Sequence, residues 1–232
     1  MKKLGIILAT GLGLSACAGG MNGGSTGNSN SMVTNYPIET ALLNIYTKAR
    51  SDTLTAVIGN QTASAEIKVT PKGNMVFNNK SVQGSEINTL NKVNNQVTDQ
   101  SVAINYYTLN PLVFHGFTDS TGKYSLSNQT TAIPKTAVVG SSSPLITETV
   151  YSDSSLRQKT ALYNQDWSLT RDSNTTAWFC INTSSNLLLS YDPQGNSSEC
   201  YKINARSDIL SSKVTINQPT VNGTNTVIFT SK

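Results

Sequence analysis

The chain is expected to be mainly β, an antiparallel meander closing into a sandwich or an open barrel-like sheet. Three observations carry this. Apolar residues recur at every second position through most of the chain. The polar positions between them are Asn, Ser and Thr more often than charged residues. The runs are short and end in turn-forming clusters. Ala63, Ala65, Ile67 and Val69 point one way and Ser64, Glu66 and Lys68 the other, and Val102, Ile104 and Tyr106 repeat the pattern, as do Trp167 and Leu169. Further strands are expected over 53–59, 74–78, 112–118, 122–127, 145–151, 158–163, 175–182, 186–191, 199–204, 213–217 and 225–230. Asp119-Ser120-Thr121-Gly122, Asp153-Ser154-Ser155 and Asp192-Pro193-Gln194-Gly195-Asn196 are the clearest turn sequences.

Two segments break the period of two. Pro37 stands at a first helical position with Glu39 in the first turn, and Leu42, Leu43, Ile45, Tyr46 and Ala49 follow at helical spacing. A short amphipathic helix is expected there. Ile87, Leu90, Val93 and Val97 suggest a second helix over 85–96, against the low helix propensity of its asparagines. Gly140-Ser141-Ser142-Ser143-Pro144 reads as one loop or a boundary between subdomains, and a single domain over 36–232 is the simpler expectation.

The N-terminus follows a different logic. Met1-Lys2-Lys3 is a short positive stretch, and Leu4 to Leu14 is uncharged and mostly apolar. That run is too short for a permanent transmembrane helix, which needs about 20 residues, and its layout is that of an export signal. It ends in Leu14-Ser15-Ala16-Cys17, which resembles the lipobox of bacterial lipoproteins. The resemblance covers about the first 17 residues. It implies cleavage before Cys17 (a signal peptide over 1–16), a diacylglycerol on the Cys17 thiol and, in Gram-negative bacteria, a further acyl chain such as palmitate on its amine. Each buried methylene contributes about 0.8 kcal/mol, so two or three chains hold the protein on a membrane without any greasy surface on the fold. Ala18 stands where an aspartate signals inner-membrane retention, which implies an outer-membrane address in the cell envelope. Residues 17–35, rich in Gly, Ser and Asn, read as a lipidated flexible tether with a typical span of roughly 20–25 Å.

Removing the leader also removes Lys2 and Lys3, leaving 15 of the 17 basic side chains against 13 acidic ones. With no long basic run, nothing suggests nucleic acid as a partner. Beyond Cys17 the cysteines are Cys180 and Cys200, an even pair that in an exported chain reads as a disulfide. The bridge requires strands 175–182 and 199–204 to be close, so that 183–198 is an excursion or hairpin pinned at its base. Trp178 shares a face with Cys180 and is expected to pack over the bridge.

Few residues suggest chemistry. His115, the only histidine, lies in Phe114-His115-Gly116-Phe117 and reads as structural rather than as a catalytic base. Ser120-Thr121-Gly122-Lys123 has the Ser-x-x-Lys spacing without the partner motifs that such a site needs. Asp192, Gln194, Asn196 and Glu199 could offer oxygens to Ca²⁺ but include too few carboxylates. Asp166 with Asp172, and Glu148 with Asp153, flank aromatic strands as a sugar-cleaving pair would, though acids at strand ends facing water are commoner. Tyr106, Tyr107, Tyr151, Tyr163, Trp167, Trp178, Tyr191 and Tyr201 read as core or edge aromatics, a subset of which could line a groove for glycan or peptide. No catalytic, cofactor-binding or metal-binding residue is assigned. The expectation is a non-catalytic envelope module that binds or scaffolds an envelope protein or glycan, with an envelope hydrolase or a surface adhesin as the alternatives.

Overall fold

The computed structural model describes residues 32–187, 195–220 and 223–231. Cys17, the lipobox and most of the turn at 192–196 lie outside them.

Alternating polarity does produce antiparallel strands, and they form a closed barrel. Its staves are β2 (Arg50–Ile58), β3 (Gln61–Phe77), β4 (Lys80–Val93), β5 (Gln96–Thr108), β6 (Val113–Asp119), β7 (Tyr124–Asn128), β9 (Ser142–Tyr151), β10 (Lys159–Arg171), β11 (Thr176–Leu187), β12 (Asn196–Asn204), β13 (Ile209–Thr220) and β14 (Gly223–Ser231). β1 (Asn35–Tyr36) and β8 (Ala137–Val138) make a separate two-stranded sheet. Closure comes from β14 against β2, with Thr230 opposite Thr55 and Ser231 opposite Leu54. Sandwich and open sheet are thereby both replaced by a barrel without edges.

The expected helix is present as α1 (Ile38–Thr47), with Pro37 as its cap rather than its first residue. An eight-stranded barrel has room inside only for its own side chains, whereas twelve strands leave a wider bore, and α1 fills one end of it. Ile38, Ala41, Leu42, Ile45 and Tyr46 are all buried, against β3 where small Ala63 and Ala65 line the wall. The helix ends are satisfied by the barrel. Glu39 N–H donates to Pro134 C=O (3.3 Å), and Ser207 Oγ donates to Pro37 C=O (2.6 Å). At the C-terminus no basic residue occupies the last turn. There the Arg50 guanidinium of β2 donates to Ile45 C=O, and Tyr107 OH donates to Tyr46 C=O (3.4 Å). A cation at that position also meets the negative end of the helix dipole.

The second helix is not formed. Residues 85–96 belong to β4 and to the turn into β5. The asparagines are the reason: Asn94 and Asn95 both adopt positive φ (50° and 64°) and make the two-residue hairpin turn between Val93 and Gln96. Asn78 and Asn79 do the same between Phe77 and Lys80. Paired positive-φ residues give the turn whose twist matches that of the strands. The expected strand 74–78 is the far end of the long β3, and 158–163 merges with the Trp167 run into β10. Residues 186–187 extend β11, while 188–191 lie outside the described residues. Ser142–Pro144, at the candidate boundary, form part of β9 and pair with β10.

Inward positions hold the core, including Leu54, Leu169, Phe179, Ile181, Tyr201 and Phe229. Many outward positions are polar, as in Ser64, Glu66 and Lys68 of β3 or Lys213, Thr215 and Asn217 of β13, with Val57, Val97 and Ile228 exposed among them. The β3–β4 hairpin bends at Pro71 and Gly73 and lays a second, external cluster over β5 and β7. There Phe77 stacks on Tyr106 (4.1 Å) and on Tyr124 (4.9 Å). Cys180 and Cys200 are bridged as directly opposed residues of the β11–β12 hairpin, Cα atoms 3.9 Å apart. Trp178 lies two residues along β11 on the same outward face and holds the ammoniums of Lys202 and Lys213 over its ring, at 5.2 and 4.3 Å.

Candidate functional site

The residues singled out in the sequence are not brought together. His115 sits at a bulge on β6, its Nε2 3.2 Å from Thr108 Oγ1, with its pKa lowered by partial burial and then by Lys80. Asp166 faces outward on β10 and accepts from Asn182 Nδ2 (2.8 Å). Asp172 lies at the β10–β11 turn, bound by Thr176 Oγ1 (2.7 Å) and by Lys202 Nζ (3.1 Å). β7 and β9 separate the histidine strand from the aspartate strand. Ser120 and Lys123 belong to a turn closed by Asp119, whose Oδ1 accepts the N–H groups of Thr121 and Lys123. Asp153 is held in its own turn by Ser155 N–H (2.8 Å). Among the described residues no three or more His, Cys, Asp or Glu side chains gather into a metal cluster.

What the barrel does bring together is a polar chamber in the bore beneath α1. Its wall includes Tyr46, Phe114, Tyr163, Gln165, Glu148 and Glu199, and it encloses a volume of about 30 Å³. The register explains the gathering. Glu148 on β9 faces Tyr163 of β10, Gln165 faces Thr183 of β11, Thr183 faces Ser197 of β12, and Glu199 lies one inward position along from Ser197. Glu148 and Glu199 are both buried. Glu148 Oε1 accepts from Ser125 Oγ (2.9 Å) and Ser127 Oγ (2.8 Å), and Tyr201 OH donates to Glu199 Oε2 (3.4 Å). Gln165 is also buried, at 9% exposure, and its Oε1 has no hydrogen-bond partner. Asn105 Nδ2, from β5 in the same wall, lacks one too.

Burial governs the electrostatics. It pushes the Glu148 carboxyl above its ordinary range, with the two serine hydroxyls pulling the other way. It raises Glu199 further, against the hydroxyl of Tyr201 and the charge of Arg50. The folded chain therefore binds more protons than the unfolded one above about pH 4.5. The stability these two groups lend is complete below the unfolded carboxylate pKa and is lost as pH rises through the folded values. Replacing both glutamates by Gln keeps the acceptor oxygens and removes the charges. In chelator-treated samples the double variant is expected to gain on the wild type steadily from pH 4.5 to 8, by on the order of 1 kcal/mol at the upper end. Thermal melts across that range check it, and a variant that loses ground with rising pH would contradict the assignment.

The sequence carries a signal for this pair beyond the separate groupings of Glu148 with Asp153 and of Glu199 with Asp192. Ile146, Glu148 and Val150 share one face by period two, as do Glu199, Tyr201 and Ile203, and each set is inward. Comparison with protein families, curated proteins and solved structures returns no match to this chain.

Proposed function

We propose that the chain is an envelope lipoprotein, acylated on Cys17 at the outer membrane, whose barrel is a non-catalytic module that binds or scaffolds another envelope component. The outward faces of the barrel carry the reading. A barrel that spans lipid carries a continuous apolar band outside; here the exposed apolar residues Val57, Val76, Val97 and Ile228 each stand opposite a polar partner, Thr62, Ser81, Lys92 and Thr215, which fits a body surrounded by water and held to the membrane by something other than its wall. α1 occupies one end of the bore, and the chamber beneath it, about 30 Å³, is too small for a glycan or peptide substrate. Contacts with a partner then fall to the outer surface.

The chain path supports an orientation. Val33 N–H donates to Asn174 C=O (2.8 Å), Arg171 Nη1 to Val33 C=O (3.0 Å) and Val139 N–H to Thr34 C=O (2.9 Å). The end of the segment read as tether is thus fixed at the mouth closed by α1, so an anchor at Cys17 would keep that mouth within the tether's reach of the membrane. The turns at 59–60, 94–95, 120–123 and 152–158, at the opposite end, would face away.

The test has two parts. Mass spectrometry of the native chain should show Cys17 as the acylated N-terminus. Photocrosslinkers placed in intact cells at Asn60 and Ser154 should capture a discrete envelope component, and Cys17→Ser should abolish that capture. An unmodified residue 17 would overturn the anchoring, and capture unaffected by Cys17→Ser would overturn the orientation.

A further inference from the structure

We propose that the chamber beneath α1 is a binding site for a hard divalent cation, with Ca²⁺ the best match, held by the carboxylates of Glu148 and Glu199 and the side-chain carbonyl of Gln165. Three independent features meet there. The first is chemical: beside the Asn105 amide, the polar groups lining the chamber are oxygen donors, with Ser127, Thr183 and Ser197 hydroxyls next to the carboxylates and the Gln165 amide, and no sulfur or imidazole among them. Such a set selects Ca²⁺ or Mg²⁺ over softer metals, and a mixture of carboxylate, amide and hydroxyl oxygens suits the irregular shell of Ca²⁺.

The second is the orphaned acceptor. Gln165 Oε1 is buried on the chamber wall and makes no hydrogen bond, neither to Thr183 opposite it nor to the Asn105 amide of the same wall. A buried amide oxygen left unpaired is costly, and a cation in the chamber supplies its missing partner. The third is space. About 30 Å³ admits a bare ion with one or two waters, whereas an organic amine would need room for its carbon skeleton as well. The strand order places the donors around such an ion. β9 and β12 are three strands apart, roughly 14 Å along the wall at the usual spacing, so Glu148 and Glu199 reach into the bore from different sides while Gln165 of β10 sits between them.

Charge balance points the same way. The cationic group nearest Glu199 is Arg50, which is also engaged with Asp52 (3.6 Å) and with the end of α1. The phenols of Tyr46, Tyr163 and Tyr201 are the other titratable groups beside the two glutamates. Once ionised, the two carboxylates share one guanidinium, and the ion supplies the positive charge that the pair then lacks. A carboxylate ligates a cation only when ionised, so binding displaces protons and tightens as pH rises.

The experiment uses the full-length chain in detergent, stripped with chelator and then titrated with CaCl₂ or MgCl₂ at pH 7.5 and 5.5. Expected are a rise in the unfolding temperature with millimolar cation at pH 7.5, a smaller rise at pH 5.5, and proton release seen as a buffer-dependent heat in calorimetry. Glu148→Gln with Glu199→Gln, predicted above to fold at least as well as the wild type, should weaken the binding at least tenfold, and so should Gln165→Leu. No rise with either cation overturns the proposal, since the chamber would then hold only water. An equal rise in wild type and variants overturns it too, by placing the ion on surface carboxylates.

Discussion

Leu42→Ala is expected to destabilise the barrel by about 3–4 kcal/mol, lowering its melting temperature by roughly 6–16 °C without changing its strand content at low temperature. Leu42 is fully buried in the middle of α1, and its loss leaves a void in a bore whose walls are fixed by closed hydrogen-bonded ladders. The hole cannot collapse as it would between two mobile layers. Neighbouring side chains of the same cluster hold the plug at its lower end, with Tyr46 4.8 Å from Phe114 and 6.2 Å from Tyr107, ring to ring. Tyr107 OH also binds the helix carbonyl directly. Circular dichroism melts measure the shift, and the transition should remain single, because helix and wall share one core. A loss below 1 kcal/mol would mean that α1 is a detachable lid rather than the interior of the fold.

How much of this could be read from the residues depends on how local each cause is. The period of two at 63–69 specifies a half-buried strand by itself, and the 36–49 stretch announces a helix because proline, acid and apolar spacing agree within one turn of chain. The bridge between Cys180 and Cys200 was legible because export and an even cysteine pair constrain each other, and the hairpin follows from it. Closure was not legible. It rests on Thr230 meeting Thr55, almost the whole chain apart, and no pattern near either residue differs from that of an edge strand. The false helix over 85–96 came from trusting apolar spacing over turn chemistry. Ile87 is inward while Leu90 opposes Glu66 on the outer side, so those residues never shared a face. The chamber failed to register for a different reason. Residue type points Glu148 to a water-facing strand end and Glu199 to the oxygens of the 192–199 turn, whereas their position among Ile146, Val150, Tyr201 and Ile203 places them inside.

The serine that positions Glu148 makes the second large effect predictable. Gly116→Ala is expected to cost about 3–5 kcal/mol, close to the limit a domain of ordinary stability tolerates. Gly116 lies on β6 at φ +140°, and a Cβ there would stand 2.2 Å from the carbonyl oxygen of Ser125 and 2.8 Å from its carbonyl carbon. Both atoms are backbone of β7, so relief requires moving a stave of a closed barrel, and the unfavourable φ adds its own strain. Ser125 is where the damage reaches the chamber. Its hydroxyl accepts the Phe117 N–H (2.7 Å) and donates to Glu148 Oε1 (2.9 Å), so displacing it removes one of two donors holding that carboxylate. The variant should therefore melt roughly 6–20 °C lower and, where it still folds, bind Ca²⁺ more weakly than the wild type. Gly84→Ala supplies the contrast. Its Cβ would meet the Met75 Sδ at 2.2 Å, but that is the far part of a flexible side chain on the outer face, able to turn aside at a cost of about 1 kcal/mol. If Gly116→Ala proved as mild as Gly84→Ala, β6 and β7 would not be held as closely as the 2.2 Å approach requires, and Ser125 could not be the support that orients Glu148.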